Sequence, residues 1–153
     1  MECGVLLTMR RALLTLVLLL GLLGPAVAEQ RSVVLVVRAD SVVTDLDSLA
    51  VRKLFLGLPV FVKGNPLHAV RNRSDEQLDE IFLQQIVAMS QSAYDRQVLV
   101  GLNRQGSIRP PEAASAAQVL QSLYADPNAV SFMWSRDIAH DPKVRVIGVL
   151  WSE

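Results

Sequence analysis

The run Val33-Val34-Leu35-Val36-Val37 constrains the fold of this chain more than any other segment. It joins five consecutive apolar residues, so neither of its two alternating faces carries a polar side chain. Such a run is typical of a strand that is buried on both faces, as in a sheet covered by helices. Because strands of this kind are common in parallel sheets, we expect a sheet that is mixed and mostly parallel.

Helical patterns separate this strand from the other predicted strands. Asp47 predicts the start of a helix that ends at Gly57, and Ser74 with Gln77 forms a capping box at the start of the clearest helix. Further strands are predicted over 67–70, 129–134 and 144–150, and further helices over about 92–102 and from Ser115 onward. This alternation predicts an α/β fold in which helices flank the sheet.

Charge and cysteine content exclude several functional classes. Fifteen Lys and Arg residues balance fifteen Asp and Glu residues. Nucleic-acid-binding domains and polybasic membrane-surface anchors both carry a basic excess, so neither class fits. The chain has a single cysteine and no cluster of His and Cys with metal-ligand spacing. We therefore expect no intrachain disulfide, no metal and no cofactor.

Residues 1–28 have the pattern of a secretory signal peptide. Arg10-Arg11 precedes an apolar core from Ala12 to Leu23, and Ala26-Val27-Ala28 fits a cleavage site after Ala28. The alternative is a transmembrane anchor, which needs about 20 apolar residues. Gly24-Pro25 interrupts the apolar core before that length is reached.

Cleavage after Ala28 would leave a single domain over residues 29–153. This domain would contain no cysteine, since Cys3 lies in the leader. A thiol-free exported domain suits an oxidising compartment, and we expect the bacterial periplasm, with no membrane anchor once the leader is removed. Translation starts at either Met1 or Met9, and the sequence leaves both open.

Four segments, in this order along the chain, resemble the substrate-binding proteins of bacterial phosphate ABC transporters. They are Leu49 to Gly57 ("LAVRKLFLG"), Asn65 to Val70 with the helix through Ile81-Phe82-Leu83, Gly101 to Pro111 ("GLNRQGSIRPP"), and Ala117 to Phe132 ("AQVLQSLYADPNAVSF"). The resemblance covers roughly residues 32–150. It implies a single lobe of the type II periplasmic-binding-protein fold, a non-catalytic role and an ABC transporter as partner.

Two departures from the family pattern bear on ligand binding. Full binding proteins of this family have two lobes that close on the ligand, and residues 29–153 amount to about one of them. The family's oxyanion loop also carries an arginine followed by Ser-Gly-Thr at a helix N-terminus. Here the corresponding segment is Arg71 to Leu78 ("RNRSDEQL"), which keeps arginines and one serine but lacks Ser-Gly-Thr.

The candidate ligand-binding residues are Arg71, Arg73 and Ser74. Main-chain N–H groups at a helix N-terminus attract anions, and arginine side chains add paired donors. We expect these residues to bind phosphate or a related oxyanion weakly. An ordinary capped helix start is the alternative, because Asp75 and Glu76 already place negative charge there.

The sequence leaves two functional readings open. The first is an exported, non-catalytic domain of the phosphate-binding type. The second is an accessory interaction module for a membrane transporter, a sensor or an envelope partner. No enzyme constellation is evident: His68 and His140 lie far apart in sequence, and no serine lies in a Gly-x-Ser-x-Gly elbow.

Overall fold

A computed structural model describes residues 31–104 and 107–153. The predicted signal peptide lies outside these residues. Within the described part of the chain, no helix is long and apolar enough to cross a bilayer.

The described chain alternates short strands and helices around one main sheet. The strands are β1 (Ser32–Arg38), β2 (Phe61–Val62), β3 (Asn65–Pro66), β4 (His68–Ala69), β5 (Arg71–Asn72), β6 (Glu112–Ala113), β7 (Ala129–Trp134) and β8 (Val144–Ser152). The helices are α1 (Ser48–Phe55), α2 (Glu76–Ile81), α3 (Gln91–Arg104), α4 (Ala116–Ala125) and α5 (Ser135–Ile138), and a π-helical turn over Phe82–Ile86 continues α2.

The main sheet has the strand order β4-β7-β1-β8, which places the predicted strand β1 in its interior. Both neighbours of β1 run antiparallel to it, and among the described strands of this sheet only β4 and β7 pair in parallel. The α/β class with a mixed, helix-flanked sheet is therefore confirmed, but the expectation that the sheet is mostly parallel is wrong. The apolar run from Val33 to Val37 indicates only that both faces of the strand are buried. Helices that cover both faces of a sheet bury such a strand whether its neighbours are parallel or antiparallel.

Alternate residues of β1 belong to two different cores. Val33, Leu35 and Val37 pack with the aromatic core on one face. Val34 and Val36 pack on the other face with apolar residues from α4 and β7. All five are nearly inaccessible to solvent, as the sequence pattern predicts.

The edge strand β8 contains two irregularities in its pairing with β1. Val33 pairs with Trp151 but Val34 pairs with Val149, so one residue of β8 is left over at that point. A second shift lies between Leu35 and Val36. Each shift is a β-bulge, which bends the strand and interrupts its ladder of hydrogen bonds.

Side-chain caps fix the starts of the helices around the sheet. The Asp47 carboxylate accepts a hydrogen bond from the main-chain N–H of Ala50, which confirms Asp47 as a cap. Asp75, rather than Ser74, caps α2, because its carboxylate accepts from the N–H of Leu78. The N–H of Ser74 is bound by the side chain of Asn72, so the helix begins one residue later than predicted.

An aromatic cluster under one face of the sheet holds α1, α2 and α3 together. Phe82 stacks on Phe132 with 5.4 Å between ring centroids, and it meets Phe55 and Tyr94 edge-on. Tyr94 also donates a hydrogen bond to the main-chain oxygen of Phe55 at 2.9 Å. These rings build the floor on which the candidate site lies.

Candidate anion site

Arg71 enters the site from a short parallel strand pair. The main-chain N–H of Arg71 donates to the oxygen of Pro111, and that of Arg73 donates to the oxygen of Ala113. These two bonds hold β5 beside β6 and bring residues that are far apart in sequence into contact. The side chain of Arg71 is completely buried, with 0% exposure.

The guanidinium group of Arg71 is bound by groups of the chain itself. Its Nη2 atom donates to Asp79 at 2.6 Å and to the side-chain oxygen of Gln91 at 2.7 Å, and Nη1 donates to Glu112 at 3.4 Å. The guanidinium carbon lies 4.5 Å from the centre of the Phe82 ring and 4.9 Å from the centre of the Tyr94 ring. Such a buried arginine needs these acceptors, because a desolvated charge without partners is unfavourable.

Some donors of Arg71 are left over. Its Nε atom is buried and has no hydrogen-bond partner among the residues that the structure describes. Of the five N–H groups of the guanidinium group, three are bound by Asp79, Gln91 and Glu112, so Nε–H and one N–H of Nη1 have no acceptor among the described residues.

Arg73 shares both of these carboxylates but lies closer to the solvent. It is 3.2 Å from Glu112 and 3.5 Å from Asp79, and its side chain is 43% exposed. The hydrogen bond that Arg73 donates to Glu112 raises the pKa of Arg73 above its usual value, and the nearby charge of Asp79 adds to the effect. Arg109 completes the group through an ion pair of 3.0 Å with Asp95.

We call this group the arginine–carboxylate cluster. Its members are Arg71, Arg73, Arg109, Asp79, Asp95 and Glu112. Three positive charges face three negative charges, so the cluster carries no net positive charge to attract an external anion.

The structure brings two of the three predicted ligand-binding residues together. Arg71 and Arg73 both contact Asp79 and Glu112. Ser74 lies next to them in sequence, but its N–H is bound by Asn72, and the first turn of α2 is capped by Asp75. Phosphate binding by Arg71, Arg73 and Ser74 stays a prediction.

Sequence reasoning missed two acceptors of the cluster, Gln91 and Glu112. Both come from segments distant from Arg71, and nothing in their local pattern signals a contact with it. Asp79 carried a partial signal, because a carboxylate in the first turn of α2 lies near the residues just before the helix. The sequence therefore indicated nearby negative charge but not that it neutralises Arg71.

Beside the cluster, Asp75 links the start of α2 to the end of β7. Its second carboxylate oxygen accepts a hydrogen bond of 2.6 Å from the indole nitrogen of Trp134. Burial by itself would raise the pKa of Asp75. The bonds from Trp134 and from the main chain of Leu78 and Gln77 outweigh burial, so the pKa is lowered.

A separate cavity of about 400 Å³ lies between the end of α1, β4 and the loop over 108–111. Its lining is mostly apolar and includes Leu54, Val60, Leu67 and Ile108. None of the cluster's arginines lines it. Its described lining contains His68 but no arginine or lysine, so it offers none of the guanidinium donors of the cluster to an oxyanion.

The histidines give no catalytic or metal-binding arrangement within the described residues. His68 pairs with Asp126 at 2.5 Å and is half-exposed. No group of three or more His, Cys, Asp or Glu residues in the described ranges has the arrangement of a metal site.

The fold matches solved structures of substrate-binding proteins. One is described as a phosphate ABC transporter substrate-binding protein from Clostridium perfringens, with bound phosphate: TM-score 0.57, 12% identity, over 77% of this chain and 44% of that chain. Another is an ABC-type phosphate transport receptor from Vibrio cholerae: TM-score 0.55, 16% identity, over 77% of this chain and 46% of that chain.

These matches confirm a fold like a single lobe of a periplasmic binding protein. The chain spans less than half the length of the solved chains it matches. A comparison with protein-family models found no match, and a comparison with curated protein sequences found none either. At such low identity the likeness concerns the fold alone.

Proposed function

We propose that this chain is an exported, non-catalytic domain with the fold of a phosphate-type substrate-binding protein, and that it acts as an accessory interaction module. The observation that carries this proposal is that the guanidinium group of Arg71 is not available to an external ligand. This group is wholly buried and bound by Asp79, Gln91 and Glu112. An external phosphate would have to displace the chain's own groups to reach it.

The electrostatic balance opposes tight phosphate binding. At an effective dielectric constant of about 20, two unit charges about 4 Å apart interact by about 4 kcal/mol. A phosphate beside Arg71 would gain that attraction and would meet a comparable repulsion from Asp79, which lies 2.6 Å from Arg71. Since attraction and repulsion are of similar size, little is left to offset the desolvation of the anion.

The site also lacks the features of catalysis. Each carboxylate of the cluster is paired with an arginine, so none is free to act as a general base. The likeness to substrate-binding proteins supports a binding role for the fold. The signal-peptide pattern supports export to the periplasm, where the partner would be a membrane transporter, a sensor or another envelope protein.

The proposal is tested by recovering the partner from living cells. The full chain with its leader is tagged at the C-terminus, crosslinked in the cell envelope and purified. We expect a mass that corresponds to cleavage after Ala28 and one envelope protein captured reproducibly. A version without residues 2–28 is the control, since it stays inside the cell and should lose that protein. Capture of the same protein by both versions, or by neither, would contradict the proposal.

Weak oxyanion binding is a second candidate, favoured by the solvent-exposed side of the cluster. Arg73 and Arg109 are both about half-exposed, so an anion from solvent can reach their guanidinium groups. Calorimetry with millimolar phosphate tests this candidate, with Arg71→Ala and Arg73→Ala as controls. Heat that both substitutions remove would establish it, and the absence of heat in the wild type would eliminate it.

A further inference from the structure

We propose that Asp79 and Glu112 are specificity-determining residues, and that their carboxylates occupy the positions that the oxygens of an external oxyanion would take on Arg71 and Arg73. The inference rests on the proposed function, because it explains why this lobe would not act as a phosphate carrier. It assigns the exclusion of oxyanions to two named side chains, whose removal reverses it.

Each of the two carboxylates bridges both guanidinium groups. Asp79 places one oxygen 2.6 Å from Arg71 and the other 3.5 Å from Arg73. Glu112 places one oxygen 3.4 Å from Arg71 and the other 3.2 Å from Arg73. Four carboxylate oxygens thus surround two arginines, which is the arrangement that a multidentate oxyanion would adopt between the same donors.

The two carboxylates are more exposed than the arginine that they bind. The side chain of Arg71 is 0% exposed, whereas Asp79 is 20% and Glu112 is 33% exposed. Because both carboxylates contact Arg71 and are themselves partly exposed, we expect shorter side chains at these positions to make Arg71 accessible to solvent. Gln91 stays in place and keeps one side of the guanidinium group oriented.

Removal of the two carboxylates also makes the net charge of the cluster more positive, which favours anion binding. Without Asp79 and Glu112, the three arginines of the cluster face only Asp95. Arg71 and Arg73 then lack counter-charges, and a buried arginine without one is unfavourable. A small oxyanion that enters from solvent would restore the lost pairing, so the stability of such a variant should depend on the anion present.

The test is the double variant Asp79→Ala/Glu112→Ala of the full chain, titrated with inorganic phosphate and with sulfate by calorimetry. We expect saturable binding at least about tenfold tighter than in the wild type, since two repulsive charges are removed and at least two charge-assisted hydrogen bonds become available. The same anions should raise the unfolding temperature of this variant and leave that of the wild type nearly unchanged.

Two matched controls separate the effect of side-chain volume from the effect of removing negative charge. Asp79→Asn/Glu112→Gln removes the same charges but keeps the side-chain volume, so it should gain less than the alanine variant. Asp45→Ala/Glu80→Ala removes two carboxylates from exposed positions outside the cluster and should gain nothing. A gain by this second control equal to that of the alanine variant would overturn the proposal, because it would reflect net charge alone.

Glu112→Ala alone keeps the test decisive if the double variant does not fold. Glu112 is the more exposed of the two carboxylates, and its contacts with the arginines are longer than the shortest contact of Asp79. Thermal unfolding of this variant with and without sulfate should show a larger stabilisation than the wild type shows. Folded variants that bind phosphate and sulfate no better than the wild type refute the inference, whatever partner the wild type captures. The proposed function is instead refuted if the wild-type chain captures no envelope protein.

Discussion

The Nη2 atom of Arg71 lies 2.6 Å from a carboxylate oxygen of Asp79, eight positions further along the chain. This bond joins β5 to the first turn of α2, and the arginine end of it is completely buried. A residue type that usually marks a ligand site thus serves here as an internal link between two elements. The pairing affects both stability and ligand access.

Substitution of Asp79 by alanine should destabilise the fold strongly. It leaves the buried guanidinium group of Arg71 with only Gln91 and the more distant Glu112. Removal of one partner from a buried ion pair typically costs about 3–5 kcal/mol, and we expect about 3 kcal/mol because Asp79 is partly exposed. Urea unfolding measures the loss. Glu80→Ala, at the exposed neighbouring position, should change stability by less than about 0.5 kcal/mol. Equal losses in the two variants would contradict this role of Asp79.

The lowered pKa of Asp75 predicts a loss of stability in acid. A carboxyl group with a lowered folded-state pKa contributes stability that is complete above its ordinary value of 3.8 and is lost as the pH falls through the folded value. Asp75→Asn keeps a side chain that can cap α2 but does not titrate. The free energies of unfolding of wild type and variant should therefore converge between about pH 6 and pH 2. Parallel curves over this range would show that Asp75 has no such role.

Two glycines with similar backbone angles should respond differently to alanine. Gly57 has φ +79° and Gly64 has φ +81°. A Cβ atom at Gly57 would lie 2.3 Å from the main-chain oxygen of Ile108, whereas at Gly64 it would have no described atom within 4 Å beyond its chain neighbours. Gly64→Ala should cost about 1 kcal/mol for the left-handed conformation alone. Gly57→Ala should cost at least about 1 kcal/mol more, because the backbone must move.

Thermal unfolding of the two glycine variants measures the difference. Gly57 also accepts a hydrogen bond from the N–H of Ile108, so the close approach is part of the backbone structure. Equal unfolding temperatures for the two variants would mean that this approach is not tight in solution.

Both tyrosines of the chain should lose their phenol proton at a higher pH than an ordinary tyrosine does. Burial raises the pKa of Tyr94, and the hydrogen bond that Tyr124 donates to Asp141 raises the pKa of Tyr124. In a near-ultraviolet titration, less than half of the tyrosine should be ionised at about pH 10, the ordinary tyrosine value. Asp141→Asn should move the Tyr124 portion back toward that value. A single transition centred on the ordinary value in the wild type would contradict the prediction.

Local sequence patterns predicted most elements because the information lies within a few residues. The strand over 129–134 is observed as β7 with the same bounds, and the helix predicted over about 92–102 is observed as α3. Strand direction was not predictable, since it depends on which strands pair. Burial along α3 was not predictable from spacing either: Tyr94 and Val98 are buried, but Leu102, at the same interval of four residues, is exposed.

The candidate site was less predictable than the fold, for a related reason. A search for oxyanion donors selects Arg71 and Arg73, and the structure places both of them against Asp79 and Glu112. Whether those donors are available depends on acceptors that arrive from α3 and β6, and Glu112 lies 41 positions from Arg71. Local sequence predicts a donor, but only the tertiary structure determines whether an acceptor already occupies it.

The two bulges in β8 affect how readily the edge of the main sheet can pair with a strand of another molecule. β8 is nine residues long and forms one edge of the main sheet. A regular edge of that length would offer a template for the strand of another molecule. Each bulge shifts the spacing of the donors and acceptors along the strand, so an incoming straight strand could match only short stretches of it. We therefore expect the irregular pairing of β8 with β1 to disfavour the growth of continuous sheets in concentrated solution.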